Sequence, residues 1–130
     1  MPKIERHLLP DEMEPVSHYC HAVRAGDRIW ISGTVGVRPD GTIPEDTAEQ
    51  FQVAIDSLDR CLRAAGGRAE HIVKVTVLLT DINDRAKINP IRQRYFGDNR
   101  PASTLYEVSA LVAPEMKVEI EVTARRGSAG

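Results

Sequence analysis

An alternation of residue types near the end of the chain constrains the fold more than any other feature. From residue 117 to residue 124, apolar and polar side chains follow each other with a period of two. The apolar set is Val118, Ile120, Val122 and Ala124, and the polar set is Lys117, Glu119, Glu121 and Thr123. This period is typical of a β-strand with one face in the core. The segment therefore predicts a sheet that another layer covers on the apolar side.

The clearest predicted helix begins near Asp46 and Thr47, which are both good N-cap residues. Glu49 and Gln50 are placed to complete a capping box, and Gly66-Gly67 is expected to end the helix. Apolar residues recur in steps of three and four on one face, at Ala48, Phe51, Ile55, Leu58, Leu62 and Ala65. One side of this helix is therefore expected to pack on the sheet.

A second helix is predicted from about residue 85 to residue 96 and is followed by Gly97. Its apolar side carries Ile88, Ile91 and Tyr95. The two helices together are expected to cover the sheet face that takes Val118, Ile120 and Val122.

The remaining elements read as strands separated by turn signals. A hairpin is expected from 19–24 and 28–32 around Gly26-Asp27, and a further short strand lies near Ile4. The β-branched run 72–80 is a strand in which Val73, Val75, Val77 and Leu79 are expected to share one face. A strand pair, 104–111 and 117–124, is expected around Pro114.

This order of elements predicts a two-layer α+β domain with one mixed sheet and both helices on one face. Residues 1–130 are interpreted as a single domain whose segments 1–14 and 125–130 are peripheral. The other sheet face carries Glu119 and Glu121 beside apolar groups, and no helix is left to cover it. That face is a candidate oligomer surface.

Composition excludes several classes of protein. Hydrophobic residues make up 42% and charged residues 28%, which excludes a disordered chain. Seventeen basic against nineteen acidic residues give a formal charge of -2, with no basic stripe for a nucleic acid. No apolar run approaches the roughly 18 residues of a membrane span. The first residues lack the apolar core of a signal peptide, so we expect a cytoplasmic protein.

Cysteine and histidine spacing predicts neither a disulfide nor a metal site. Cys20 and Cys61 both lie in apolar-patterned segments and are interpreted as small buried residues. His18 and His21 are close in sequence, but no set of three or four ligands has workable spacing. We therefore expect no metal.

Four stretches, taken in order, resemble the reactive intermediate deaminase family, also called YjgF/YER057c/UK114. They are Tyr19 with Ala22-Val23 and Gly26-Asp27; Ile31-Ser32-Gly33; 72–77 leading to 81–84 and Asn89; and Arg100-Pro101-Ala102 through Glu107-Val108 to 118–121. The resemblance implies a chorismate-mutase-like fold and a homotrimer in which three sheets form a central barrel. It also implies ligand clefts between subunits and hydrolysis of imino or enamino acids without a cofactor.

The same resemblance implies candidate site residues. Glu119 matches the position that holds or activates the attacking water, and Glu121 is a weaker second candidate. Tyr19 and the Ser32-Gly33 turn match positions that line the cleft. Asn89 matches a helix residue that capping or intersubunit bonding would explain equally well, and Leu105 supplies a backbone N–H. A surface Glu and a core Tyr are the structural alternatives for Glu119 and Tyr19.

One position departs from the family pattern. Archetypal members have an Arg directly after Pro-Ala as the anchor for the substrate carboxylate, whereas this chain has Ser103 there. The change removes a charge and several hydrogen-bond donors. Arg92, Arg94 and Arg100 lie near the matching segments and are possible replacement anchors.

Three functions follow from these observations. The first is a deaminase that hydrolyses an imine, enamine or related labile C–N compound, with Glu119 handling water. The second is a non-catalytic trimer of the same family that binds a metabolite. The third, an RNA-cleaving or chaperone-like activity, is disfavoured because the chain has no basic face.

Overall fold

A computed structural model describes residues 3–126, which form one six-stranded sheet and two α-helices. The strands are β1 (Ile4–His7), β2 (Ala22–Ala25), β3 (Arg28–Val35), β4 (Ile72–Leu79), β5 (Ala102–Glu107) and β6 (Val118–Arg125). The helices are α1 (Thr47–Ala64) and α2 (Arg85–Phe96), and short 3-10 turns lie at Ala69–His71 and Ile82–Asp84. The predicted α+β class and order of elements are confirmed.

The strands are ordered β1-β2-β3-β6-β4-β5 across the sheet. All neighbours are antiparallel except β4 and β5, which are parallel and are joined through α2. The prediction that the last two strands form a pair is wrong, because β4 lies between them. The connection 108–117 is long enough to pass one strand. Every second residue of β6 is buried, which suits the middle of the sheet, whereas the more exposed β5 suits an edge.

Both helices pack on the face that carries Val118, Ile120 and Val122, as predicted. Asp46 caps α1, because its carboxylate accepts a hydrogen bond from the Glu49 backbone N–H at 3.1 Å. Gly66 follows the helix with a φ of +93°, a conformation that favours glycine.

Gln50 differs from the expected capping role. Its side chain is fully buried, and its amide donates to the carbonyl oxygens of Pro44 and Glu115 and accepts from the Lys117 N–H. Long-range polar bonds to two loops therefore replace a local cap.

The expectation for the buried face of β4 is wrong at its first residue. Val73 is 51% exposed, and Ile72 takes the buried place instead. The pairing of β4 with β6 shifts register between Ile72 and Lys74, and this irregularity reverses the side on which Val73 projects. From Val75 onward the alternation follows the prediction.

The first and last described segments contribute to the sheet and its surroundings. β1 is an edge strand paired with β2, and the segment after it is tied to α1 by Glu12, which accepts from Ser57 and Arg60. The predicted strand at 19–24 begins at Ala22. Arg125 ends β6 and forms an ion pair with Asp27, while 127–130, predicted to be peripheral, lie outside the described residues.

Candidate functional site

A cavity of about 590 Å³ lies where the segment after β1 meets the ends of β3 and β6. This volume suits a small organic ligand. Four of the predicted site residues line it, namely Tyr19, Ser32, Gly33 and Glu119. Glu121, the second candidate acid, also lines it. These residues come from three separate segments of the chain, which the order β2-β3-β6 brings together.

The Glu119 carboxyl lies directly against Gly33. The pairing of β3 with β6 shifts register between Ile31 and Thr34, so Ser32 and Gly33 form an irregular stretch beside Glu119. A Cβ atom at position 33 would collide with Glu119 Oε2. The missing side chain at Gly33 is therefore what gives the carboxyl its place in the cavity wall.

The electrostatic setting of Glu119 favours its neutral form. Burial raises the pKa of the Glu119 carboxyl above its usual value, and the nearby charge of Glu121 raises it further. A carboxyl with a raised pKa exchanges a proton more readily near neutral pH than an ordinary one. This property fits an acid–base group.

Hydrogen bonds between side chains and the backbone hold other parts of the cavity wall. The Ser32 hydroxyl donates to the Cys20 carbonyl at 2.6 Å, so this side chain braces the wall. The His21 ring accepts the Leu9 N–H at Nδ1 and lies 2.9 Å from the Met13 carbonyl at Nε2. Those two contacts fix the segment that carries Tyr19, whose side chain is 44% exposed.

The other predicted site residues lie elsewhere in the protomer. Ser103 and Leu105 pair with Val75 and Val77, so their side chains are on the helix side of the sheet, opposite Glu119. Asn89 is exposed on α2. One protomer therefore does not bring these residues to the cavity.

The three candidate anchors differ in their surroundings. Arg94 and Arg100 are exposed. Arg92 is half-buried, and its guanidinium donates to the Ser103 hydroxyl at 2.9 Å. Burial lowers the pKa of Arg92. Of the three, Arg92 is the one hydrogen-bonded to the position where the family pattern has its anchor.

Sequence reasoning missed the segment 12–17, His21 and Cys61, which also contribute to the cavity lining. No local pattern marks the segment as a wall, because its position depends on the Glu12 contacts with α1. Cys61 is buried, and burial raises the pKa of its thiol to about 11. Within residues 3–126, no group of three His, Cys, Asp or Glu side chains is arranged to hold a metal.

Comparisons with known proteins agree with this fold. The sequence profile described as Endoribonuclease L-PSP matches residues 10–126. The rat protein named 2-iminobutanoate/2-iminopropanoate deaminase is 36% identical over 131 aligned positions, covering 98% of this chain and 95% of the rat protein.

Two crystal structures from Escherichia coli are similar over most of the chain. The YjgF gene product has a TM-score of 0.88 at 31% identity, covering 95% of this chain and 99% of its own. TdcF with bound serine has a TM-score of 0.84 at 30% identity, covering 90% of this chain and 94% of its own.

The sheet order, the helix layer and the matches define a YjgF-type α+β protein. The chain belongs to the Endoribonuclease L-PSP family, which is the YjgF/YER057c/UK114 family indicated by its sequence motifs. Among residues 3–126, no helix has the length and apolar character needed to cross a bilayer.

Proposed function

We propose that this protein is a deaminase that hydrolyses small imino or enamino acids, with Glu119 as the group that handles water. The observation that carries the proposal is the Glu119 carboxyl, held against Gly33 in the cavity wall with a raised pKa. The name of the rat relative, 2-iminobutanoate/2-iminopropanoate deaminase, supports the substrate class.

The proposed reaction consumes one water and releases one ammonia. Ionised Glu119 accepts a proton from water as the water oxygen bonds to the imine carbon; the C=N electron pair moves to nitrogen, which takes a proton from solvent. The carbinolamine then collapses: Glu119 gives its proton to the amino nitrogen, the hydroxyl proton passes to solvent, and the C–N bond breaks to release ammonia. The product is a 2-oxo acid, and the sequence of steps requires no oxidant, reductant or cofactor.

We place the complete site between two protomers of a homotrimer. The separation of the candidate residues supports this placement, because Glu119 and Tyr19 line the cavity while Ser103 and Leu105 lie across the sheet near its β5 edge. The sheet face without helices also supports it, since Trp30 and Tyr106 are 41% and 54% exposed there in the single chain. Light scattering that gives a 14.4 kDa particle at micromolar concentration would contradict the trimer.

The activity is tested with imines produced in situ by an amino-acid oxidase from 2-aminobutanoate or alanine. The assay follows the additional release of ammonia and 2-oxo acid caused by the purified protein. We expect Glu119→Gln to reduce the rate by about 100-fold or more, because general acid–base groups contribute roughly that factor. Glu45→Gln, which changes an exposed carboxylate outside the cavity, is the matched control.

A metabolite-binding trimer without turnover is the alternative, and Ser103 at the family's anchor position favours it. The E. coli relative TdcF, whose structure holds serine, is a precedent for binding a small amino acid. Saturable binding of serine or 2-oxobutanoate with no imine hydrolysis above background would select this alternative. The cytoplasmic location stays a prediction.

A further inference from the structure

The cavity that contains Glu119 has acidic walls, with no Lys or Arg among its lining residues in the described part of the chain. Its lining includes Glu12, Glu14, Glu119 and Glu121. An imino acid carries a carboxylate, which needs a cation or several N–H donors when it leaves water. A Lys or Arg anchor for the substrate must therefore come from outside the cavity wall of one protomer.

Several cations of the protomer are already engaged with acidic groups. Ion pairs with Asp or Glu occupy Arg60, Arg63, Arg68, Lys87 and Arg125. A cation in such a pair binds a ligand carboxylate more weakly, because the ligand must compete with the carboxylate that is already bound. The anchor is better sought among cations without such a partner.

Arg92 has a different environment. Its guanidinium is half-buried and donates to Ser103 Oγ at 2.9 Å, and no carboxylate of residues 3–126 lies within ion-pair distance of it. A guanidinium has five N–H donors, and Ser103 accepts one of them. Burial lowers the pKa of Arg92 without a compensating anion. A bound carboxylate would supply that anion.

The position of Arg92 suits contact with a second protomer. Ser103 lies on β5, which is the outermost strand of the sheet and has one unpaired edge within the described chain. We propose that Arg92, oriented by Ser103 at this edge, anchors the substrate carboxylate in the Glu119 cavity of a neighbouring protomer. The inference rests on the proposed function and assigns a substrate-binding role to Arg92 and a positioning role to Ser103.

Lys74 is the strongest alternative to Arg92 as the anchor of the substrate carboxylate. Its ammonium donates to Thr104 Oγ1 at 2.7 Å, and it borders a second, smaller cavity on the open face of the sheet together with Glu121. Glu121 already gives that cavity a carboxylate. Arg92 has a planar fork that matches a carboxylate with two parallel hydrogen bonds, whereas an ammonium is a point charge. These differences favour Arg92.

The first experiment measures kcat/KM for 2-iminobutanoate in four variants. Arg92→Gln should lose at least about tenfold, since a charge-assisted anchor is worth roughly that factor or more. Arg92→Lys should lose less, because it keeps the charge but not the fork. Arg85→Gln removes the same charge from an exposed position of α2 and should leave the rate unchanged. Unchanged activity in Arg92→Gln, or the loss appearing in Lys74→Gln instead, overturns the inference.

A binding measurement separates this inference from the proposed reaction. Calorimetric titration with 2-oxobutanoate should show weaker binding to Arg92→Gln, while its methyl ester should bind wild type and variant alike. Weaker carboxylate binding in Arg92→Gln with no wild-type turnover supports the anchor and refutes the deaminase. Wild-type turnover that does not depend on Arg92 supports the deaminase and refutes the anchor. If the wild type shows neither turnover nor binding, both are refuted.

Two further variants test the geometry. In Arg92→Ser with Ser103→Arg, the guanidinium moves from α2 to β5, and kcat/KM should recover relative to Arg92→Gln. Co-expression of Glu119→Gln with Arg92→Gln should restore about a quarter of wild-type activity. With random assembly about three quarters of the trimers contain both variants, and each of these has one intact interface of three. No restoration would show that Arg92 does not act on a neighbouring cavity. Circular dichroism and light scattering check that each variant folds and assembles.

Discussion

Gln50 offers a test of how the loops around the cavity are held. Its buried amide makes hydrogen bonds to the carbonyl oxygens of Pro44 and Glu115 at 2.7 and 2.9 Å and to the Lys117 N–H at 2.9 Å. Gln50→Met keeps nearly the same volume and removes all three bonds. The change therefore measures what the hydrogen bonds contribute to the free energy of unfolding, with little loss of packing.

The expected cost follows from the number of groups left without a partner. Each buried donor or acceptor without a partner costs about 1–3 kcal/mol, and partial access of water to the loops reduces the sum. We therefore expect Gln50→Met to lower the free energy of unfolding by about 3–5 kcal/mol. That is a large share of the roughly 5–15 kcal/mol typical of a folded domain. Gln50→Ala should cost more, because it adds a cavity.

Urea denaturation at one fixed protein concentration measures the effect, since the stability of an oligomer depends on concentration. Gln52→Met is the matched control, because the Gln52 amide donates to Asp56 at an exposed place on the same helix, α1. It should change stability by no more than about 0.5 kcal/mol. A Gln50→Met protein within about 1 kcal/mol of wild type would refute the reasoning.

Three other changes have defined outcomes. Gly33→Ala should displace the Glu119 carboxyl and lower imine hydrolysis while the circular dichroism spectrum is retained, and full activity would contradict the assigned contact. Because the raised pKa means that the folded state holds the Glu119 proton more tightly, wild-type stability falls as pH rises from the usual Glu pKa through the folded one. Glu119→Gln should therefore unfold at higher urea than wild type at pH 7, and this advantage should vanish below about pH 4. His21→Phe leaves the Leu9 N–H and the Met13 carbonyl without their partner, so amide hydrogen exchange at residues 9–17 should accelerate while α1 stays protected. The same exchange rates in variant and wild type would show that His21 does not hold the segment.

The helices were predictable because their signals are local. Asp46 caps α1 as expected, Gly66 follows its last turn, and α2 runs over the predicted residues 85–96 before Gly97. Caps and a period of 3.6 residues act over a few neighbouring positions, and a sequence displays such information directly.

Strand partners and buried polar groups depended on contacts far apart in sequence. The pattern of β5 and β6 identified two strands, but not that β4 separates them. Val73 and Gln50 were assigned by local periodicity and capping rules, and the pairing with β6 and the bonds to distant loops decided otherwise. A period describes which residues alternate, but it does not specify which strand lies beside them.

The same division holds for the candidate site. Sequence motifs singled out Glu119, Gly33 and Ser103, because each stands at a recognisable position. Only the folded chain shows the Glu119 carboxyl against Gly33 and the Arg92 guanidinium on Ser103. The first contact requires an irregular pairing between β3 and β6, and the second requires α2 to pack on the sheet beside β5. Both depend on how separate elements are arranged in space, and no local signal in the chain encodes that arrangement.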